Sequence, residues 1–344
     1  MTPSPSAQDN ANVAGRTDRT ALREEANHAP ARRTGKAQRG AISLAWEAFG
    51  HPGDPVVLMI AGMAQQRIAW PDALCEAIAA EGYHVVRYDN RDVGESSWTP
   101  GPPPPTLGKR YVQAMFGRRQ HIPVGPGREA LYDLDDLASD AVGLLDALEV
   151  DAAHVVGFSM GGMIAQLLAA TRPERVHTLT SIMSSPNEPS LPKPRPRVLM
   201  NLLKKPPAND PDTLAAASAD MWALIGSPAY PTSREERVAA AHRSFARGLN
   251  KTGLAHHMMA ILATGGFAER LPRISAPTLV LHGDADPLVR VEGGRLSAAR
   301  IPRARLRVIR GMGHDFPAQL VPTLASAITG HMNGTRLGAE ENLR

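Results

Sequence analysis

The sequence predicts an α/β protein, a mostly parallel sheet flanked by helices and interrupted late in the chain by a helical insertion. Three observations predict it. Short apolar or β-branched runs alternate with helical periodicity from residue 41 to 186, and strands resume after residue 273. A serine between glycines, Gly157-Phe158-Ser159-Met160-Gly161, joins one such run to a helix. Two later runs end in turns that carry Asp284, Asp286 and His314. Parallel neighbours need long crossover connections, so strands and helices have to alternate.

Residues 41–49 and 55–61 read as early strands, split by the turn Gly50-His51-Pro52-Gly53-Asp54. Residues 70–81 read as a helix stopped by Gly82, and residues 83–88 as the next strand. Residues 99–127 show no clear period and include a proline run, which marks a long loop. From 134 to 148 the period is strongly helical, with Leu137, Val142, Leu144, Leu145 and Leu148 on the apolar face. A strand over 152–158, a helix over 160–170 and a strand over 176–183 follow.

The alternation then stops. Between about 187 and 272 the pattern is helical, over 197–204, 211–225, 235–249 and 253–264. Met200, Met221, Met258 and Met259 lie in this stretch, and some of them are expected to face a cleft, because methionine makes an adaptable apolar wall.

The bulk properties narrow the function classes. With 344 residues and 43 % hydrophobic content, the chain can bury a large core. No apolar run approaches the ~20 residues that span a bilayer. The polar start has no apolar signal segment, and the expected location is the cytoplasm. The one cysteine, Cys75, reads as a buried helix residue and forms neither an intrachain disulfide nor a zinc cluster. Residues 1–40 hold seven basic and four acidic side chains, which is +3 of the total charge of +4. The basicity therefore belongs to a segment with little to bury, expected as a disordered tail, and no nucleic-acid partner is expected.

The chemistry centres on Ser159. A serine at a tight strand-to-helix turn needs φ near +60° and small neighbours, and its hydroxyl then projects from the sheet edge. It is a weak nucleophile until a base and an orienting carboxylate are positioned beside it. His314 is the candidate base, and Asp286 or Asp284 the candidate acid; all follow strands, at the edge where open α/β sheets bind ligands. The Met160 N–H, at the start of the following helix, is one donor for a developing oxyanion. Adjacent His256 and His257 would point about 100° apart on a helix and cannot chelate one metal well. No phosphate-cradling or dinucleotide loop is present, so neither a cofactor nor a metal is expected.

The glycines around Ser159, Gly283-Asp284-Ala285-Asp286-Pro287 after a strand, and Gly311-Met312-Gly313-His314 together resemble the α/β-hydrolase superfamily over residues 41–332. Trp70-Pro71-Asp72, the segment from Tyr88-Asp89-Asn90-Arg91 to Gly94, and Ser159-Met160-Gly161-Gly162 resemble its small-molecule esterases of the aclacinomycin methylesterase type. The resemblance implies the α/β-hydrolase fold, with core over 41–186 and 273–344 and a helical cap over 187–272. It implies Asp286 rather than Asp284 as the acid, and the Met63 N–H as the second oxyanion donor. Many relatives carry His-Gly where this chain has Ala61-Gly62.

The expected function is a serine hydrolase that cleaves a carboxylic ester of a small, largely apolar molecule through an acyl-enzyme. Serine at 159 excludes the branch with a covalent aspartate. Other acyl or C–C bond hydrolases and acyltransferases share the triad, and a non-catalytic binding protein is the alternative from another class.

Overall fold

The protein is described here by a computed structural model covering residues 32–118, 120–202 and 210–334. Among them lies one eight-stranded sheet in the order β1-β2-β4-β3-β5-β6-β7-β8. The strands are β1 (Arg33–Arg39), β2 (Ile42–Phe49), β3 (Val56–Ile60), β4 (His84–Tyr88), β5 (Ala153–Phe158), β6 (Val176–Ile182), β7 (Thr278–Gly283) and β8 (Arg305–Ile309). The β1–β2 and β2–β4 pairs are antiparallel and all others parallel.

The helices are α1 (Asp72–Ala80), α2 (Leu107–Met115), α3 (Leu134–Ala147), α4 (Met160–Thr171), α5 (Pro196–Leu202), α6 (Pro211–Ile225), α7 (Arg234–Ala246), α8 (Gly253–Thr264), α9 (Val291–Arg300) and α10 (Val321–Met332). Strand alternation divides the core into two layers. Leu58, Ile60 and Val155 pack with Leu137 and Leu144 of α3 and Ile164 of α4. Val57, Met59 and Val156 pack on the opposite face with Leu74 and Ile78 of α1 and Leu324 of α10. Every residue of β3 is buried, as expected for a central strand covered on both faces. Cys75 lies in the second layer, where burial pushes its thiol up to about 12. No described helix is long and apolar enough to cross a membrane.

The segment expected as a tail over 1–40 contains a strand. β1 runs antiparallel to β2, and only Ala37 of it is buried. It is a polar, basic edge strand, so it carries no alternation of apolar residues. Trp46 of β2 lies over Gly35, where a Cβ would meet its ring at 2.6 Å. Residues 1–31 of the expected tail lie outside the described residues.

The stretch 99–127 contains α2. Its Leu107, Tyr111 and Ala114 form one stripe against Ile122, Met259 and Leu262. That spacing of i, i+4 and i+7 is helical, and the preceding prolines obscured it.

Between β6 and β7 lie α5 to α8. The helix expected over 197–204 is observed as α5, and residues 203–209 lie outside the described residues. α7 ends at Ala246, three residues before the expected end, where Gly248 takes φ +133°.

Candidate active site

Ser159 occupies the turn between β5 and α4 with φ 54° and ψ −125°. Such a conformation costs on the order of 1–3 kcal/mol and persists only when its surroundings over-determine it. Here the Ser159 N–H donates to Ile182 O at 3.0 Å, and the Ser184 hydroxyl donates to Ser159 O at 2.7 Å. Helix α4 can approach because residue 161 is glycine, where a Cβ would stand 2.1 Å from Ile60 O.

The structure brings Ser159, His314 and Asp286 together from three loops. His314 Nε2 lies 3.0 Å from Ser159 Oγ, and its Nδ1 lies 2.7 Å from Asp286 Oδ2. As a carboxylate Asp286 can only accept in this contact, so Nδ1 carries the proton and Nε2 accepts from the serine hydroxyl. The other oxygen of Asp286 accepts the N–H groups of Leu288 and Val289, both at 2.9 Å, which fixes the carboxylate plane. Asp284 is exposed and accepts the Gly311 N–H at 2.6 Å, away from the imidazole. Asp286 and His314 are almost fully buried, whereas Ser159 is partly open to solvent.

His314 is also held from the helical segment. Its N–H donates to Ile225 O at 2.7 Å, at the end of α6. The Gly313 N–H donates to Ser227 Oγ at 2.8 Å, and Asp315 accepts the Ser227 N–H at 3.0 Å. Burial raises the Asp315 carboxyl above its ordinary range, and the Ser227 hydrogen bonds oppose that shift.

Met160 opens α4, so its N–H has no intrahelical acceptor. Met63 follows Gly62, whose Cβ position would be 3.2 Å from the Cβ of Ser159. Neither N–H has a hydrogen-bond partner among the described residues.

A cavity of about 310 Å³ adjoins the base. His314, Phe158 and Phe316 form its inner side, and Trp222 of α6 and Phe245 of α7 its outer side. None of Met200, Met221, Met258 and Met259 lines it. Met200 is exposed, and Met258 and Met259 pack under α2 instead. Aromatic side chains supply the apolar part of the lining, which also carries Gln66, Glu236, Arg237 and Arg243.

The loop after β4 works through hydrogen bonds within the fold. Asp89 accepts the Arg67 N–H and Arg67 guanidinium, both at 2.6 Å, and Arg247 at 2.8 Å. Arg91 makes a two-point contact with Asp140 at 2.6 and 2.7 Å. His256 and His257 point apart, the first to Asp92 and the second to the loop after β3. Among the described residues no cluster of three or more His, Cys, Asp or Glu side chains could hold a metal ion. Gln66, Ser227, Asp315 and His257 support the site without standing in any motif, and no signal in the spacing identifies them.

Fold and geometry agree with the comparisons. The family model described as alpha/beta hydrolase fold matches residues 55–318. The chain belongs to that family. It is 34 % identical over 313 residues to rhodomycin D methylesterase DauP of Streptomyces sp. (strain C5), covering 84 % of this chain and 95 % of that protein. It is 32 % identical over 314 residues to rhodomycin D methylesterase DnrP of Streptomyces peucetius, with the same coverage. Among solved structures, a hydrolase from Pseudomonas aeruginosa PA01 is similar with a TM-score of 0.62 and 26 % identity, covering 89 % of this chain and all of that one.

Proposed function

We propose that the protein is a serine esterase acting on a carboxylic ester of a small, largely apolar molecule, with Ser159 as nucleophile, His314 as base and Asp286 as orienting acid. The observation that carries this reading is the contact of His314 with Ser159 Oγ at 3.0 Å and with Asp286 at 2.7 Å. Ser159 Oγ attacks the ester carbonyl carbon while His314 Nε2 takes its proton. The negative oxygen of the tetrahedral intermediate is met by the N–H groups of Met160 and Met63. The C–O bond to the alcohol then breaks, and His314 returns the proton to the departing oxygen. Water attacks the acyl-enzyme by the same route, giving the carboxylic acid and free Ser159. The residues require no cofactor for these steps.

Residues 187–272 act as a cap over this centre. Trp222 and Phe245 come from that segment, and with Phe158 and Phe316 they suit a flat or bulky apolar acyl group. The two Streptomyces relatives are named for a methyl ester, so a methyl ester of a bulky carboxylic acid is the substrate class we put forward.

An ester panel that varies acyl bulk and alcohol size tests the proposal, with Ser159→Ala as reference. Wild type should favour methyl esters with a bulky acyl group. Ser159→Ala should fall to ~10⁻³ of wild-type turnover or below while remaining folded. A tenth of the activity retained in the purified variant would remove Ser159 as nucleophile. So would failure of an active-site fluorophosphonate to label it.

A further inference from the structure

The loop that carries the base changes partners partway along. Gly311 and Met312 are held mainly by the core: the Gly311 N–H donates to Asp284 Oδ1 at 2.6 Å, and Met312 O accepts the Ala285 N–H at 3.1 Å. From residue 313 onward the partners come from the helical segment. The Gly313 N–H donates to Ser227 Oγ at 2.8 Å, and the His314 N–H donates to Ile225 O at 2.7 Å. Asp315 Oδ1 accepts the Ser227 N–H at 3.0 Å and the Ser227 hydroxyl as well. Among the described residues, 313–315 make no other hydrogen bond apart from the two imidazole contacts of the triad. Three consecutive residues at the end of α6 therefore hold the main chain of the base.

Ser227 is the centre of this contact. A backbone N–H can only donate, so Ser227 Oγ is the acceptor for Gly313, and its own proton goes to Asp315 Oδ1. One hydroxyl thus joins the residue before the base to the residue after it. The side chain is 4 % exposed and does not line the cavity. The two segments lie against each other without a gap: a Cβ on Gly313 would stand 2.3 Å from Gly226 O. Glycine has more backbone freedom than any other residue, so position 313 keeps its conformation through its partners.

We propose that Ser227 is a positioning residue for His314, fixing the chain on both sides of the base so that Nε2 stays within reach of Ser159 Oγ, an inference that rests on reading Ser159 as nucleophile and His314 as base. Asp286 holds only the Nδ1 end of the ring, at 2.7 Å. A ring held at one end can pivot about that contact, and the main chain then decides where Nε2 comes to lie. The bond to Ile225 O fixes the peptide between Gly313 and His314. Ser227 fixes the peptide before it and the side chain after it. Proton transfer needs its heavy atoms within about 2.6–3.2 Å of each other. Nε2 and Oγ are 3.0 Å apart, so a displacement of about half an ångström takes the base out of reach.

Removal of a single oxygen atom tests this role. Ser227→Ala changes the volume of the buried site little, but it leaves the Gly313 N–H without an acceptor and Asp315 with one donor in place of two. We expect kcat to fall about tenfold to a hundredfold, the scale on which a small misplacement of a reacting group acts. KM should stay nearly constant, because Ser227 is not part of the cavity wall. The rate at which a fluorophosphonate labels Ser159 should fall by the same factor as kcat, since that reaction uses the same base. A role in stability alone would lower the melting temperature and leave the kcat and labelling rate of the folded enzyme unchanged. Ser227→Thr keeps the hydroxyl and should hold kcat to within about threefold of wild type. Should Ser227→Ala fail to fold, Ser227→Cys reads the same contact, because a thiol is a weak donor and acceptor, and its kcat should fall at least about threefold. Unchanged kcat and labelling in folded Ser227→Ala or Ser227→Cys, a loss carried by KM alone, or an equal loss of kcat in Ser227→Thr would overturn the proposal. Ser159→Ala, assayed in parallel, distinguishes the two levels. If it is inactive while Ser227→Ala is unimpaired, only this inference falls; if it retains activity, the esterase reading falls with it.

Discussion

Two aspartates two positions apart, Asp284 and Asp286, have opposite tasks. Asp286 faces the imidazole, and its second oxygen is held by two backbone N–H groups. Asp284 reaches across to the Gly311 N–H and so braces the loop that leads to His314. An amide at 286 can offer an N–H to the imidazole, which stabilises the wrong tautomer, and it cannot balance an imidazolium. Asp286→Asn should therefore lower kcat by a factor on the order of 10³–10⁴ at neutral pH. An amide at 284 keeps an oxygen that can accept from Gly311. Asp284→Asn should cost only about 1 kcal/mol of stability or less, with a small change in kcat. Steady-state kinetics on both folded variants check this, and equal losses would put the acid on the wrong residue.

Helix α8 meets the loop after β4 through a buried pair, His256 Nδ1 and Asp92 Oδ2 at 3.3 Å. The hydrogen bond with Asp92 raises His256 above the ordinary 6.5, against the opposing effect of burial. At Asp92 burial acts upward, but hydrogen bonds from His256, Tyr132 and Thr99 outweigh it and lower the carboxyl below 3.8. A raised histidine contributes stability that is complete below its unfolded value and lost as pH rises through its folded value. A lowered carboxylate contributes above its unfolded value and loses its contribution as pH falls through the folded one. The pair thus contributes most between the two ordinary values. Wild type should exceed His256→Gln in urea stability by more at pH 5.5 than at pH 9, and an equal gap at both would show that the pair does not carry charge. The helix periods around such contacts were legible from sequence for α3, α4 and α6, which carry long apolar runs, and α3 and α6 also carry side-chain N-caps at Asp133 and Asp210. They were not legible for β1, a polar edge strand with one buried side chain, or for α2, whose stripe follows a proline run. Nor did the four methionines reveal which helix face lines the cavity, because α6 and α8 carry apolar residues on more than one side.

The whole molecule is a sheet with its reactive loops on one edge and a helical segment locked to that edge. The meeting of Ser159, His314 and Asp286 was legible because each sits in a short motif just beyond a strand. Their supports were not, since they join residues far apart; Ala64 and His257 are 193 positions apart. One lock is Arg247, after α7, which bonds Gln66 Oε1 at 2.9 Å and Asp89 and Glu95 at 2.8 Å each. Arg247→Ala leaves Asp89 paired with Arg67, so the loss should be moderate, about 1–3 kcal/mol. Because α7 walls the cavity, KM should rise as well. Arg270→Ala, which breaks a pair with Asp135 on α3, is the control and should lower stability without changing KM. Denaturation and kinetics on both variants test this, and parallel KM shifts would remove Arg247 as a specific lock. The backbone bond from His314 to Ile225 has a further consequence for anyone building chimaeras. The outer wall of the pocket and the proposed base share a backbone contact, so selectivity and turnover are not separate modules. Transplanting residues 187–272 from a relative would bring in foreign geometry at the base, and a graft that keeps its rate would have to carry residues 311–316 with it.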